Sequence, residues 1–542
     1  MSARRAALAA LVAAAPLAIA SEPGGGGALA VSPAVVFPGC RVTFDVATAP
    51  SARVALAGSL SAGPIERGGL ALCLGRDARL VASGRAGAGG AWSARLRVPP
   101  RRAALGREVF FQAATRAPGF AWRATNGASI VVGAAAPAFS DATDRITTAP
   151  RRQEAAVAVD IDRDGDLDVV TVASLEAAGD ALAILVNIGG AQGAEEGAFV
   201  EETASRLRLG GAGDGTTNGL SLAAGDVDGD GFPDLVVGSD DNVGGSLNRA
   251  NTLLRNAGDG TFDAIPSFPG GAGETQSICL ADLDADGDLD LLCGNGVDRA
   301  FPEANELFVN QGGAQAGVAG TFVAAPFDAA IGETDAIVAA DFDEDGALDL
   351  FVARDGRNRL LRGDGALGFA DASASLPPLE DNSAEAVVAD FDRDGHADVL
   401  VVNVGDASYV LFGDGAGGFA RSVLPATSPT AFLKLDGAAG DLDGDGDADV
   451  VLAIHSLGDD PGLTTLLNRG GLQGGTAGTF EWAPAVLDGV ARRIVATDVV
   501  IADLDRDGDA DVWAASNGAI DDENDRRDQL LLNDACRPAG AP

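Results

Sequence analysis

The sequence predicts an all-β protein: a seven-bladed β-propeller preceded by a small β-sandwich domain. Three observations predict it. The 542 residues are rich in Gly (74), with one Met, one Tyr and a single lysine, Lys434, a composition of short strands and turns rather than helices. The nine-residue string Asp-x-Asp-x-Asp-Gly-x-x-Asp occurs seven times, each copy after a short apolar run. Successive copies lie 66, 56, 59, 49, 51 and 62 residues apart, a period that belongs to propellers and solenoids.

In chain order, Arg4 and Arg5 precede an apolar run from Ala6 to Ala20, and Ala18-Ile19-Ala20 is a small-x-small site before Ser21. This reads as a secretory leader over residues 1–20, too short for a membrane span. With no Cys after it, a lipid anchor is not expected, and no later segment reads as a membrane span. Residues 21–35 are Gly/Ala/Pro-rich and read as loose. From 36 to 135 come seven short apolar stretches: Val42–Val46, Arg53–Ala57, Leu70–Leu74, Leu80–Ala82, Trp92–Val98, Val109–Ala114 and Ser129–Val132. About seven strands in ~100 residues suggest an Ig-like sandwich over residues 21–135.

The repeat occupies 136–535, with a short tail at 536–542. Each unit has one grammar. A small apolar strand leads into the acidic loop, as in Glu385–Ala389 before Asp390, and a β-branched strand leaves it, as in Asp398–Val402. A third strand ends in Asn or Gly, and a Gly-rich turn reaches a Phe that opens the fourth. That turn spans six positions (Asn256 to Phe262, Gly363 to Phe369, Gly413 to Phe419) or twelve (Asn187 to Phe199, Asn310 to Phe322, Asn468 to Phe480). Four strands make one propeller blade. The last unit stops after its third strand, Gln529–Asn533, whereas Phe139-Ser140-Asp141-Ala142-Thr143 looks like an orphan fourth strand. Residues 139–143 are therefore expected to complete blade seven and close the ring, leaving no open edge.

The acidic string suits calcium. Four carboxylates in nine residues repel one another unless a hard cation sits between them, and the Gly allows a sharp turn. Side-chain oxygens would come from positions 1, 3, 5 and 9: Asp160, Asp162, Asp164 and Asp168; Asp226, Asp228, Asp230 and Asp234; Asp282, Asp284, Asp286 and Asp290; Asp341, Asp343, Asp345 and Asp349; Asp390, Asp392, Asp394 and Asp398; Asp441, Asp443, Asp445 and Asp449; Asp503, Asp505, Asp507 and Asp511. Position 7 would give only its main-chain carbonyl, so its side chain varies freely: Asp166, Phe232, Asp288, Ala347, His396, Asp447 and Asp509. Position 2 is always apolar and is expected in the core. An EF-hand is excluded, because position 12 is never Glu and lies in a β-like run. A merely solvated acidic turn does not explain seven copies that all keep Gly at position 6.

On these loops, flanking strands and blade count, residues 139–535 resemble the FG-GAP/VCBS repeat proteins, whose propeller is that of the integrin α-subunit head. The resemblance implies up to seven Ca²⁺ ions, one in the hairpin between strands one and two of each blade. It also implies ligand binding on the opposite face, through the 2–3 and 4–1 connections. Here Ser239–Ala250, Asn295–Ala304, His455–Leu463 and Asn517–Asp528 are long, polar and charged. Trp513, on the strand entering the last of these, is a ligand platform or a core filler.

The net charge of −41 is uneven: +8 over residues 21–135 and −51 over 136–542. Even seven bound Ca²⁺ would leave the acidic part repelling phosphate, so no nucleic-acid partner is expected. Neither His396 nor His455 has a nearby Ser or Cys nucleophile pattern, and no catalytic residue is assigned. The expected function is an exported calcium-binding module, secreted, periplasmic or on the cell surface, recognising an extracellular protein or glycan. A calcium-dependent polysaccharide lyase or hydrolase and a structural envelope component stay open. Of five Cys, Cys279 and Cys293 flank the third loop symmetrically and are expected to form a disulfide across the ladder. Cys40 and Cys73 are a second candidate pair, and Cys536 is left over.

Overall fold

A computed structural model describes most of residues 139–533, apart from parts of the connections, and, as backbone alone, the strands between 28 and 132. The leader at 1–20, Cys40, the Cys73 side chain and Cys536 lie outside the described residues. No described helix is long and apolar enough to cross a membrane.

The N-terminal unit contains all seven expected strands. Ala28–Ser32, Arg41–Ala47 and Ala91–Arg97 form one antiparallel sheet. Val35–Val36, Arg123–Val132, Glu108–Arg116, Arg53–Ser59 and Arg79–Arg85 form another. Ala62–Arg67 and Leu70–Leu74 make a separate hairpin. The stretch expected to be loose departs from expectation. Leu29 and Val31 alternate with small residues and pair with Val46 and Phe44, a strand hidden by the Gly/Pro-rich composition around it.

The second unit consists of seven four-stranded antiparallel blades, three of them extended by a two-residue strand. They are numbered here by acidic loop: blade 1 spans 155–201, blade 2 219–264, blade 3 275–325, blade 4 336–371, blade 5 381–423, blade 6 433–482 and blade 7 494–533. The first strands of successive blades touch in cyclic order, and that of blade 7 touches that of blade 1. The ring is therefore closed: this is a seven-bladed β-propeller.

Closure happens as the strand grammar requires. Phe139–Asp141 pairs antiparallel with Gln529–Asn533, Phe139 opposite Asn533. In the other blades the Phe that opens the fourth strand sits opposite the Asn or Gly that ends the third: Phe199 with Asn187, Phe262 with Asn256, Phe322 with Asn310, Phe369 with Gly363, Phe419 with Gly413 and Phe480 with Asn468. Both turn lengths thus end on one register. Phe139 is buried in the core between blades 6 and 7. Phe139→Ala should cost about 3 kcal/mol, the usual penalty for emptying a buried Phe site, read as a lowered midpoint in denaturant unfolding.

The core lies between adjacent sheets. All seven position-2 side chains are buried: Ile161, Val227, Leu283, Phe342, Phe391, Leu442 and Leu504. Trp513 is a core filler, fully buried and edge-to-face with Phe199 at 5.3 Å across the junction of blades 7 and 1.

The expected Cys279–Cys293 disulfide is absent; both thiols are free. Asp290 itself pairs with Ala281, so Cys279 sits opposite Leu292 and Cys293 opposite Ile278. The offset of one residue puts the two sulfurs on opposite sheet faces. Cys293 lies in the core shared with blade 2, while Cys279 packs towards blade 4.

Candidate metal centres

Each acidic loop is a tight hairpin held by its own carboxylates. Position 4 adopts the left-handed conformation in every loop, with φ between +56° and +73°, and the position-6 Gly has φ between +90° and +106°. Only Gly adopts the latter readily, which explains its presence in all seven copies. In six loops the Gly N–H donates to the position-1 aspartate at 2.8–3.2 Å. In the same six, the position-7 N–H donates to the position-5 carboxylate at 2.8–3.2 Å.

The position-9 aspartate does more than sequence reasoning assigned to it. Its Oδ2 accepts the position-2 N–H in all seven loops, at 2.8–3.1 Å. Its Oδ1 accepts the N–H of the residue ending the third strand, at 2.7–2.9 Å. It therefore ties the loop to the blade whether or not a metal is bound.

Ligand oxygens converge within 4.8 Å of one another in Asp160, Asp162 and Asp168; Asp226, Asp228 and Asp230; Asp282, Asp284 and Asp290; Asp341, Asp343 and Asp349; and Asp390, Asp392 and Asp398. In loop 2, Asp234 stands outside that group. Several oxygens at ligand positions have no hydrogen-bond donor: Oδ1 of Asp160, Asp162, Asp226 and Asp284. Buried carboxylate oxygens without donors are costly. An oxygen-only site for a hard divalent cation fits them.

Burial pushes Asp168, Asp234 and Asp290 up to about 7 and Asp398 up to about 6, against an ordinary value of 3.8; the neighbouring aspartates add to the shift in each. The metal-free folded chain therefore binds more protons than the unfolded chain between about pH 4 and 7, and it loses stability as pH rises through that window. In chelator, the unfolding midpoint should be higher at pH 5.5 than at pH 7.5. Cation affinity should run the other way, weakening on acidification as the same carboxylates take up protons.

The blades are joined at these loops. In blades 1, 2, 3, 6 and 7 the Asn ending the third strand sends Nδ2 to the position-2 carbonyl of the preceding blade, at 2.7–2.8 Å: Asn187 to Leu504, Asn256 to Ile161, Asn310 to Val227, Asn468 to Phe391 and Asn533 to Leu442. The terminal Asn was visible in the sequence as a strand ending, but its cross-blade role was not. His396 Nδ1 lies 2.6 Å from Glu344 of the preceding loop, and this contact raises the imidazole pKa. Asp166 pairs with Arg506 of loop 7.

A second acidic group went unnoticed in the sequence. Asp436 and Asp498 lie five residues before loops 6 and 7, on first strands with a register shift beside each. Asp436 Oδ2 accepts the Val499 N–H and Asp498 Oδ2 accepts the Ala156 N–H, both at 2.7 Å. These bonds staple blade 6 to 7 and blade 7 to 1. Glu385 joins them electrostatically, and burial raises its carboxyl to about 8. Most of the 2–3 connections expected to bind ligand, at 240–249, 297–303, 456–461 and 520–526, lie outside the described residues, as does the His455 side chain.

Two repeat-family models match the chain. The FG-GAP-like repeat model matches residues 238–293, 341–401, 390–452 and 441–514. The FG-GAP repeat model matches 218–251. No curated protein is significantly similar to the chain. Among solved structures, an Agrocybe aegerita lectin that recognises non-reducing terminal N-acetylglucosamine is 16% identical, with a TM-score of 0.42 over 71% of this chain and 85% of that one. BBS1N, solved in complex with ARL6DN, is 13% identical, with a TM-score of 0.42 over 74% of this chain and 98% of that one. With the repeat matched from blade 2 to blade 7 on a ring of seven blades, the chain is an FG-GAP repeat protein.

Proposed function

We propose that this protein is an exported recognition module: a propeller held in shape by calcium at up to seven loops, presenting its opposite face to an extracellular protein or glycan. The observation that carries this reading is the set of converging aspartate oxygens repeated from loop 1 to loop 5, several of them without a donor in loops 1 to 3. Calcium would supply the charge neutralisation that the loops lack. It fixes the hairpins, and through the third-strand Asn residues it fixes the blade order. The variable connections then stand on a rigid base, where binding residues are usually found. Asp160, Asp162 and Asp168, and the converging aspartates of the other loops, hold the ion, and no residue is assigned to catalysis.

The test has two stages. Native mass spectrometry of the purified full chain, before and after chelation, counts the ions. Glycan and protein arrays probed with and without calcium then look for a ligand. Calcium-dependent binding supports the reading, and a fully folded chain free of metal at millimolar calcium overturns it. Turnover of a polyuronate or other glycan would favour a lyase or hydrolase instead.

A further inference from the structure

We propose that the acidic loops form two classes of calcium site, set by the side chain that backs the position-3 aspartate. Loops backed by arginine bind the ion more weakly but hold their shape without it; loops backed by neutral or apolar groups do the reverse. This division rests on the calcium reading of the loops.

The backing slot is a defined place. It lies beside the position-3 aspartate, against the Gly-containing turn of the next blade. In loop 1, Arg206 fills it: Nη2 is 3.0 Å from Asp162 Oδ2, and Nη1 donates to the Asp259 carbonyl of blade 2. In loop 2, Arg255 Nε is 3.1 Å from Asp228 Oδ2, and Nη2 donates to the Gly320 carbonyl of blade 3. In loop 4, Arg362 Nε is 2.6 Å from Asp343 Oδ2. The next-blade turns leave room only because they carry Gly: a Cβ on Gly260, Gly320 or Gly417 would lie 2.2, 2.6 or 2.4 Å from the respective guanidinium.

In loops 3 and 5 the position-3 aspartate is backed by neutral or apolar groups instead. A Cβ on Gly478 would meet Phe412 Cζ at 2.7 Å and the Asp392 Cβ at 3.0 Å. Phe412 occupies the strand position of Arg255 and Arg362, one residue before the third strand ends. Loop 7 does not belong to the uncharged class, because Arg145 Nη1 donates to the Glu196 carbonyl beside Gly197 at 2.7 Å, as Arg206 does to the Asp259 carbonyl beside Gly260. In loop 3 the neutral Gln315 amide donates to Asp284 Oδ2 at 2.6 Å.

A guanidinium touching one oxygen of a ligand carboxylate does two things. It repels an arriving dication and takes up part of the charge that the ion would neutralise, which lowers affinity. It also relieves repulsion among the aspartates when no ion is present, which stabilises the empty loop. Solvent screening grades the effect. Arg206 is 15% exposed, Arg255 30% and Arg362 41%, so loop 1 should feel it most and loop 4 least.

The test is stepwise calcium loading of the full chain, followed by native mass spectrometry and by chelator-competition titration. The wild type should load in two waves, loops 3 and 5 ahead of loops 1, 2 and 4. Arg206→Met and Arg255→Met should each move one ion into the tighter wave, by about tenfold in affinity, because a unit charge beside the ligand set is removed. In chelator the same variants should unfold at a lower temperature. These opposite signs cannot come from lost packing alone. Arg255→Lys should keep the weak site, and Phe412→Arg should move one ion into the weaker wave, which keeps the idea testable if a Met variant misfolds. Identical isotherms for wild type and variants, or weaker binding in the Met variants, overturn the two classes while leaving calcium binding intact. A wild type that binds no calcium at all overturns the calcium reading itself.

Discussion

Removing divalent ions should lower the unfolding midpoint of the propeller by about 12 °C at neutral pH. At ten times Kd each site contributes RT ln 11, about 1.4 kcal/mol, so seven sites contribute roughly 10 kcal/mol. A unit of roughly 400 residues unfolds with an entropy of about 0.8 kcal/mol per kelvin, which converts that energy into the stated shift. Closure makes the loss collective. The third-strand Asn of five blades is bonded to the position-2 carbonyl of the blade before it, so a loop that loosens also loosens its neighbour. The junction of blades 7 and 1, where the ring closes, is bound the same way through Asn187. The measurement is differential scanning calorimetry with calcium, with chelator, and with calcium restored. An unchanged midpoint would show that the aspartates hold the ring without metal.

What was legible in the sequence is local in the chain. The nine-residue loop, the apolar position 2 and the Asn-to-Phe turn are short-range patterns, and each maps onto one hairpin with one register. Even closure was legible, because Phe139–Asp141 carries the signature of the fourth strand that the last unit lacks. What was not legible depends on one-residue offsets or on contacts between blades. The cysteines looked symmetric about loop 3, but the ladder starts with Ala281 opposite Asp290, and that offset separates the sulfurs. Arg206 and Arg255 do the same job from different places, one from a helical turn and one from a strand. No fixed spacing links them. Asp436 and Asp498 look like scattered surface acids until register shifts in their strands bring them to the amides of the next blade.

The position-9 aspartates separate the scaffold from the metal. Asp290 is fully buried, and its two oxygens accept the N–H groups of Leu283 and Asn310 at 3.1 and 2.9 Å. Asp290→Ala leaves both amides without an acceptor, at about 1–3 kcal/mol each. The loss should be about 3 kcal/mol net, since the cost of burying the carboxylate is relieved, and it should appear with calcium and in chelator alike. Asp286→Asn, at position 5 of the same loop, should behave differently. Asp286 sits against Asp284 and Asp288; burial raises the pKa of both, and the charge of Asp286 adds to it. Neutralising it removes a ligand charge but also removes repulsion. The midpoint should fall in calcium and hold or rise in chelator. One loop thus yields a residue whose effect ignores the ion and a residue whose effect changes sign with it. If Asp290→Ala destabilised only the calcium-loaded chain, the position-9 carboxylate would be a ligand alone and the hydrogen-bond account of the blade would fail.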